Sequence, residues 1–199
     1  LQTCRARGAP FQSKRGFMVE DTVHAIWHYK VTFIVLTPAM VHALGQEIAS
    51  RPFDVDSVRS IQIGGDAVTK GILMRCAALF PRARICVNHG MTEGGGSFIW
   101  PFFETPIPQI PYFGEMCPVG AVAPGSIVRI WNADRKRLSK RKEPGALHIC
   151  CDSIIRHYLG GASESSFYED ETGRWFNTGD VAIMDTEGLV FILGRSKDM

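Results

Sequence analysis

The sequence predicts an α/β fold, a mostly parallel sheet with flanking helices followed by a smaller β-rich subdomain. Three observations carry this. From residue 20 onward, short apolar runs alternate with amphipathic helical segments, the pattern of strands joined through helices. After Phe98 helical periodicity disappears, and Pro101, Pro106, Pro108, Pro111, Pro118 and Pro124 punctuate the chain. Beyond them, strand-like runs are separated by turns. Residues 1–19 thus read as an irregular basic entry segment, 20–114 as the α/β subdomain and 115–194 as the β-rich one, with the boundary near 112–118.

The elements follow in order. Val23, Ile26 and Trp27 with polar residues between them mark an amphipathic helix from Glu20, with Asp21 or Thr22 as its cap. Residues 31–36 form a continuous apolar run rich in branched and aromatic side chains. This is a strand buried on both faces and stopped at Thr37-Pro38. A second helix runs through Met40, Leu44 and Ile48. The unit then repeats: a strand over 60–63 opens into Gly64-Gly65-Asp66-Ala67, a helix spans about 70–80, and 84–87 is the next strand. Ligands of parallel sheets bind beyond the carboxyl ends of strands. Gly64-Gly65-Asp66 and Asn88-His89-Gly90 both lie at such ends. Residues 126–131, 146–150 and 189–193 read as strands of the β-rich part.

Composition narrows the function classes. With 199 residues and 45% hydrophobic content the chain can bury a core. A formal net charge of +2 leaves no electrostatic footprint for nucleic acid. The basic stretch over 135–142 is local and reads as a solvated turn. Cys4, Cys76, Cys86, Cys117, Cys150 and Cys151 include no C-x-x-C pair, and adjacent Cys150 and Cys151 would face opposite sides of a strand. That is a reduced intracellular pattern rather than a disulfide framework or zinc site. No apolar run approaches the roughly 18 residues that span a bilayer. His24, His28, His42, His148 and His157 share no ligand spacing and read as structural or surface groups.

Chemistry concentrates in Gly90-Met91-Thr92-Glu93-Gly94-Gly95-Gly96. A glycine lets backbone approach a ligand, Thr92 is suited to phosphate oxygens, and Glu93 is a hard oxygen ligand for Mg²⁺. Taken alone, the same residues also describe a glycine-rich surface turn.

Asn88-His89-Gly90-Met91-Thr92-Glu93, Trp175-Phe176-Asn177-Thr178-Gly179-Asp180 and Gly194-Arg195, in that order, resemble the nucleotide-handling motifs of the adenylate-forming enzymes, acyl-CoA synthetases in particular. The resemblance runs from about residue 17 to the end. It implies the second half of such an enzyme's N-terminal domain, its β-rich part a distorted barrel. Thr92 and Glu93 then inherit the catalytic phosphate and Mg²⁺ contacts. Asn88, His89 and Gly90 lie along the nucleotide, with His89 where the family stacks a tyrosine on adenine. Gly65, Asp66 and Ala67 resemble the small-residue loop beside the base, where Asp66 either accepts from the adenine amino group or caps the next helix. Asp180 would accept from both ribose hydroxyls, and Arg195 would reach ribose or phosphate. Gly64, Met91, Gly94, Gly95 and Gly96 would wall the acid pocket. Residues 195–199, with Lys197, match the hinge to a mobile C-terminal lid. Gly145-Ala146-Leu147 and Tyr158-Leu159-Gly160 resemble a further family stretch, with Ala146 replacing its glutamate and Cys150-Cys151 replacing a common Arg-Gly.

The implied activity is ATP-dependent: a fatty or aromatic acid becomes an acyl-adenylate and passes to coenzyme A. Met91 and Trp175-Phe176 favour this over a peptide-synthetase adenylation domain, whose motifs carry proline and tyrosine there. An inactive nucleotide-binding remnant is the third reading. The chain opens on Leu1 and contains neither the family's Ser/Thr-Gly-rich loop ending in lysine nor its C-terminal lysine domain. A partial chain, weakly active alone, is therefore expected. The family suits cytoplasm or peroxisome, and the expected partners are the acid and coenzyme A, without nucleic acid.

Overall fold

The computed structural model describes residues 3–6, 9–12, 16–51, 53–159 and 164–196, with side chains from residue 16 onward, Glu164 excepted. It divides into two compact units, Leu1–Val87 with Phe102–Cys117, and Asn88–Pro101 with Pro118–Met199.

In the first unit β1 (Thr3–Ala6) and β2 (Ala9–Gln12) form an antiparallel hairpin with Thr3 opposite Gln12. The irregular entry expected over 1–19 is therefore replaced by two strands. Their order comes from pairing, since β1 adds antiparallel to β3 (Phe33–Leu36) at Arg5↔Phe33, and no local pattern records a partner that far away. Between them lies α1 (Val19–Tyr29). Neither expected cap caps it: Met18 holds that position without a side-chain bond, and Thr22 sits a turn inside, its hydroxyl donating to the Met18 carbonyl at 2.8 Å. Glu20 and Asp21 in the first turn favour the positive end of the helix dipole.

Pro38 ends β3 and begins α2 (Pro38–Ser50), because a missing N–H costs nothing at a first helical position. Thr37 caps α2, accepting from the Met40 amide at 3.3 Å. β4 (Ser60–Gly64) runs parallel to β3, and α3 (Lys70–Leu79) leads to β5 (Arg84–Asn88), giving a five-stranded order β2-β1-β3-β4-β5 among the described residues. Thr69 caps α3. Its hydroxyl takes the role that Asp66 was offered as one of two. The alternate strand positions Ile34, Leu36, Ile61 and Ile63 are buried, as are Val23, Ile26, Val41, Leu44 and Leu73 on the helices and Phe80 just after α3. Each such side chain contributes about 1.5–3 kcal/mol.

The second unit contains β6 (Gly90–Met91), β7 (Gly95–Gly96), β8 (Phe98–Ile99), β9 (Pro118–Val122), β10 (Ser126–Asn132), β11 (Arg137–Leu138), β12 (Gly145–Cys151), β13 (Phe167–Asp170), β14 (Gly173–Met184) and β15 (Leu189–Arg195). Its main sheet is ordered β11-β10-β12-β14-β15-β9-β8, with β13 on β14, and β6 pairs β7 as a separate hairpin. The sequence reading placed residues 88–101 in the first unit; they belong to the second, where Phe98 and Ile99 pair with Val122 and Ala121. Two-residue strands carry no readable periodicity. The basic stretch over 135–142 is a turn whose Arg137 and Lys140 amide are met by the Glu143 carboxylate.

Trp175 anchors this sheet. It is 1% exposed, stacked on Tyr168, covered by the Arg129 guanidinium at 3.5 Å, and donates its indole N–H to Asp170 at 3.1 Å. His148 on β12 is buried beside this group, with Nδ1 bonded to the Tyr168 hydroxyl. Burial, then the nearby Arg129 charge, push its pKa down to about 4. A histidine depressed in the folded state binds fewer protons than the unfolded chain between about pH 6.5 and 4, so stability falls as pH drops through that window. The loss at the acid end is on the order of 3 kcal/mol. Urea unfolding at pH 7, 5.5 and 4.5 should show a smaller loss for His148→Gln than for wild type; equal losses would refute the assignment.

Candidate functional site

Period-two alternation sends Phe176, Thr178, Asp180 and Ala182 to the buried side of β14. Asp180 is consequently only 7% exposed, and a buried carboxylate requires partners. It has two. Arg195 stands opposite it on the β14–β15 ladder, and its Nε lies 3.1 Å from Oδ1. His89 Nε2 lies 2.9 Å from Oδ2.

The residues before Asp180 aim it. The Thr178 hydroxyl donates to the Leu147 carbonyl at 3.0 Å and accepts from the Asp180 amide at 3.0 Å. Asn177 Oδ1 accepts from the Gly179 amide at 3.1 Å. Gly179 sits at φ +75°, where a side chain is strained, and its carbonyl accepts from the Ser196 amide at 2.9 Å. Arg195 Nη1 donates to the Thr178 carbonyl at 2.9 Å, yet the side chain is 63% exposed. The cluster is a buried carboxylate with one solvent-facing wall.

A second cluster lies at the tip of the β6–β7 hairpin, where Gly90 pairs Gly96 and Met91 pairs Gly95. Thr92, Glu93 and Gly94 make the turn. It is pinned from the loop over 153–155: the Ile155 amide donates to the Glu93 carbonyl at 2.7 Å, and the Ser153 hydroxyl to the Gly94 carbonyl at 2.6 Å. A Cβ on Gly94 would lie 2.9 Å from Met91 Cε and 3.0 Å from Ile154 Cγ1, so a side chain there would displace the end of Met91 and press on Ile154. Gly94 therefore faces filled space, whereas Gly95 and Gly96 are exposed. The Tyr158 hydroxyl donates to the Glu93 carboxylate. Desolvation, then this hydrogen bond, push the Tyr158 pKa up to about 12, which keeps it a neutral donor. Arg174 holds the same loop through the Ile155 and Arg156 carbonyls.

Among the described residues no group of three or more His, Cys, Asp or Glu is arranged to hold a metal ion. A single carboxylate nevertheless suits Mg²⁺, which commonly takes one or two carboxylates and completes its shell with water and substrate phosphate. Glu93 is the carboxylate at this hairpin tip, and Thr92 beside it is exposed.

Residues 6–159 match the family model described as AMP-binding enzyme. The chain belongs to that family. An acyl-CoA ligase of Pestalotiopsis microspora is 50% identical over 198 residues, covering 100% of this chain and 34% of that protein. The chain thus spans about a third of that relative's length. The luciferase-like enzyme from the nonluminescent mealworm Zophobas morio shares the fold at a TM-score of 0.73 and 24% identity, over 91% of this chain and 42% of that one. O-succinylbenzoate coenzyme A synthetase from Bacillus subtilis, solved with ATP and magnesium ion, does so at 0.66 and 24%, over 92% and 35%. The fold is that of the adenylate-forming enzymes.

Within this chain, His89, Asp180 and Arg195 come together, His89 hydrogen-bonded to and Arg195 ion-paired with the same carboxylate. Thr92, Glu93, Met91 and Gly94 share the hairpin tip, flanked by Asn88, Gly90, Gly95 and Gly96. Gly64, Gly65, Asp66 and Ala67 lie in the first unit. Gly65 there has φ +81°, and exposed Asp66 turns on itself, Oδ1 accepting from the Ala67 amide at 2.7 Å. Lys197 falls outside the described residues.

Tyr158, Ser153 and Thr178 were not selected from the sequence. Thr178 lay inside its motif, while Tyr158 is 65 residues from Glu93 and had only its Tyr-Leu-Gly setting to mark it. A cavity of about 640 Å³ lined by Gly125, Cys150, Cys151, Ile154, Arg156 and Arg174 includes no predicted residue. No helix among the described residues is long and apolar enough to cross a membrane.

Proposed function

We propose that this chain forms the adenosine-binding and metal-binding part of an ATP-dependent acyl-CoA ligase. The observation that carries the reading is Asp180, a buried carboxylate whose Oδ2 is hydrogen-bonded to His89 and whose Oδ1 is ion-paired with Arg195. One lone pair per oxygen is then left for a diol, the geometry a ribose presents. Arg195 forms the open wall, suited to the sugar or to phosphate. Glu93 would hold Mg²⁺ against the triphosphate, with Thr92 donating to phosphate oxygens, and Tyr158 would position Glu93 until metal arrives. Bound Mg²⁺ would supply charge neutralisation at the phosphates. By the resemblance, Gly65, Asp66 and Ala67 would line the adenine, and Gly64, Met91, Gly94, Gly95 and Gly96 part of the acid pocket. The implied chemistry is attack of a carboxylate on the α-phosphate of ATP, release of pyrophosphate, and acyl transfer to coenzyme A. Likeness to the Pestalotiopsis ligase supports coenzyme A as acceptor over a peptide-synthetase carrier.

Titration calorimetry with AMP and with a non-hydrolysable acyl-adenylate analogue checks this. Saturable binding of both is expected, the analogue being tighter because it also fills the acid pocket. Binding of neither, or affinity for AMP no better than for ribose 5-phosphate, would overturn the reading.

A further inference from the structure

His89 occupies the place of an adenine-stacking ring, but its surroundings are those of a hydrogen-bond donor. Nε2 lies 2.9 Å from Asp180 Oδ2, and the imidazole is tilted 82° to Phe98 at 5.4 Å between ring centroids. The side chain is 12% exposed, and Nδ1 is buried with no hydrogen-bond partner among the described residues. An ionised Asp180 only accepts, so Nε2 carries the proton. A ring fixed at one edge by a carboxylate and packed against an aromatic side chain has little freedom to settle onto a purine face.

The carboxylate gains what the ring gives up. Arg195 Nε pairs with Oδ1 through charge at 3.1 Å, while the His89 Nε2 hydrogen bond to Oδ2 sets the plane of the group. An aspartate that is otherwise free to rotate must lose that freedom when a ligand binds; one already fixed does not. Arg195 is largely exposed and exchanges with water, so the buried imidazole is the firmer of the two holds.

We propose that His89 is a positioning residue for ribose recognition: its Nε2–H holds the Asp180 carboxylate in the plane that accepts the two sugar hydroxyls, and the ring is not an adenine platform. This rests on the reading of Asp180 as the ribose acceptor. It makes the effect of His89 conditional on the hydroxyls, which stacking is not.

The test is calorimetric binding of AMP and of 2′,3′-dideoxyadenosine 5′-monophosphate to the 199-residue chain as wild type, His89→Phe, His89→Gln and Asp180→Asn. Phenylalanine keeps a flat ring without the donor; glutamine keeps an N–H donor without the ring. The expected result is a loss of about tenfold in AMP affinity for His89→Phe, less than about threefold for His89→Gln, and unchanged dideoxy binding in both. Full AMP affinity in His89→Phe, with His89→Gln weakened toward both ligands, assigns stacking and overturns the proposal. Equal losses toward both ligands in both variants assign a merely structural role and overturn it as well. If wild type fails to prefer AMP over the dideoxy ligand, or Asp180→Asn keeps the preference, the ribose reading itself has failed.

Discussion

Replacing Asp180 with alanine is expected to lower AMP affinity by about a hundredfold or more. Two charge-assisted hydrogen bonds to a ribose are worth about 1.5–3 kcal/mol each, and alanine supplies neither. The loss extends beyond the ligand contacts. His89 is buried, and without Oδ2 its Nε2–H has no acceptor, a penalty of about 1–3 kcal/mol in folding stability. Arg195 is 63% exposed and rehydrates at little cost. Asp180→Ala should therefore weaken binding strongly and lower stability modestly. Calorimetry combined with urea unfolding separates the two. An AMP affinity within about threefold of wild type would remove Asp180 from the nucleotide site.

The second large effect falls on the fold. Gly120 on β9 sits at φ +126°, and a Cβ there would lie 2.1 Å from the Ile99 carbonyl oxygen and 2.7 Å from its carbon. Both obstacles are backbone, so no rotamer change relieves them. Alanine must push β8 from β9 and break the Ile99↔Ala121 pairing next to buried Trp100. Overpacking costs about 1–3 kcal/mol or more, and an unfavourable backbone region about 1–3 kcal/mol again. Gly120→Ala is thus expected to lose roughly 3–5 kcal/mol, a fall in Tm on the order of 10 °C for a chain of this size. A fall below about 2 °C would show that the two strands part without consequence. Gly188, at φ +87° with open space around its Cβ position, is the natural control, since alanine there meets strain but no obstacle.

What the sequence revealed and what it concealed divide along physical lines. The strand over 33–36, its parallel neighbour at 60–64 and the helix between them were legible because apolar runs are local signals. Trp175 through Asp180 was legible because an unbroken six-residue motif lies on one strand, where alternation alone buries the carboxylate. The hairpin over 3–12 was concealed because its order depends on a partner strand. Residues 88–101 were misplaced because strands of two residues leave no period to read. The Tyr158–Glu93 and His89–Asp180 pairs span 65 and 91 residues, and no single sequence announces such meetings. Asp66 as a cap failed because Thr69, three residues on, was the better placed hydroxyl.

β14 gives both edges to partners: β12 runs along one, while β13 and then β15 occupy the other. A strand tied on both sides does not fray; it is released only when much of the sheet opens with it. Asp180 rides on that strand at the point where the β12 pairing is interrupted, and its ladder partner there is Arg195 on β15. The hairpin bearing Glu93 is paired over only two residues a side, and the loop over 153–155 and Tyr158 tie its tip. Asp180 is thus held within a sheet, whereas Glu93 depends on a loop that must stay in place.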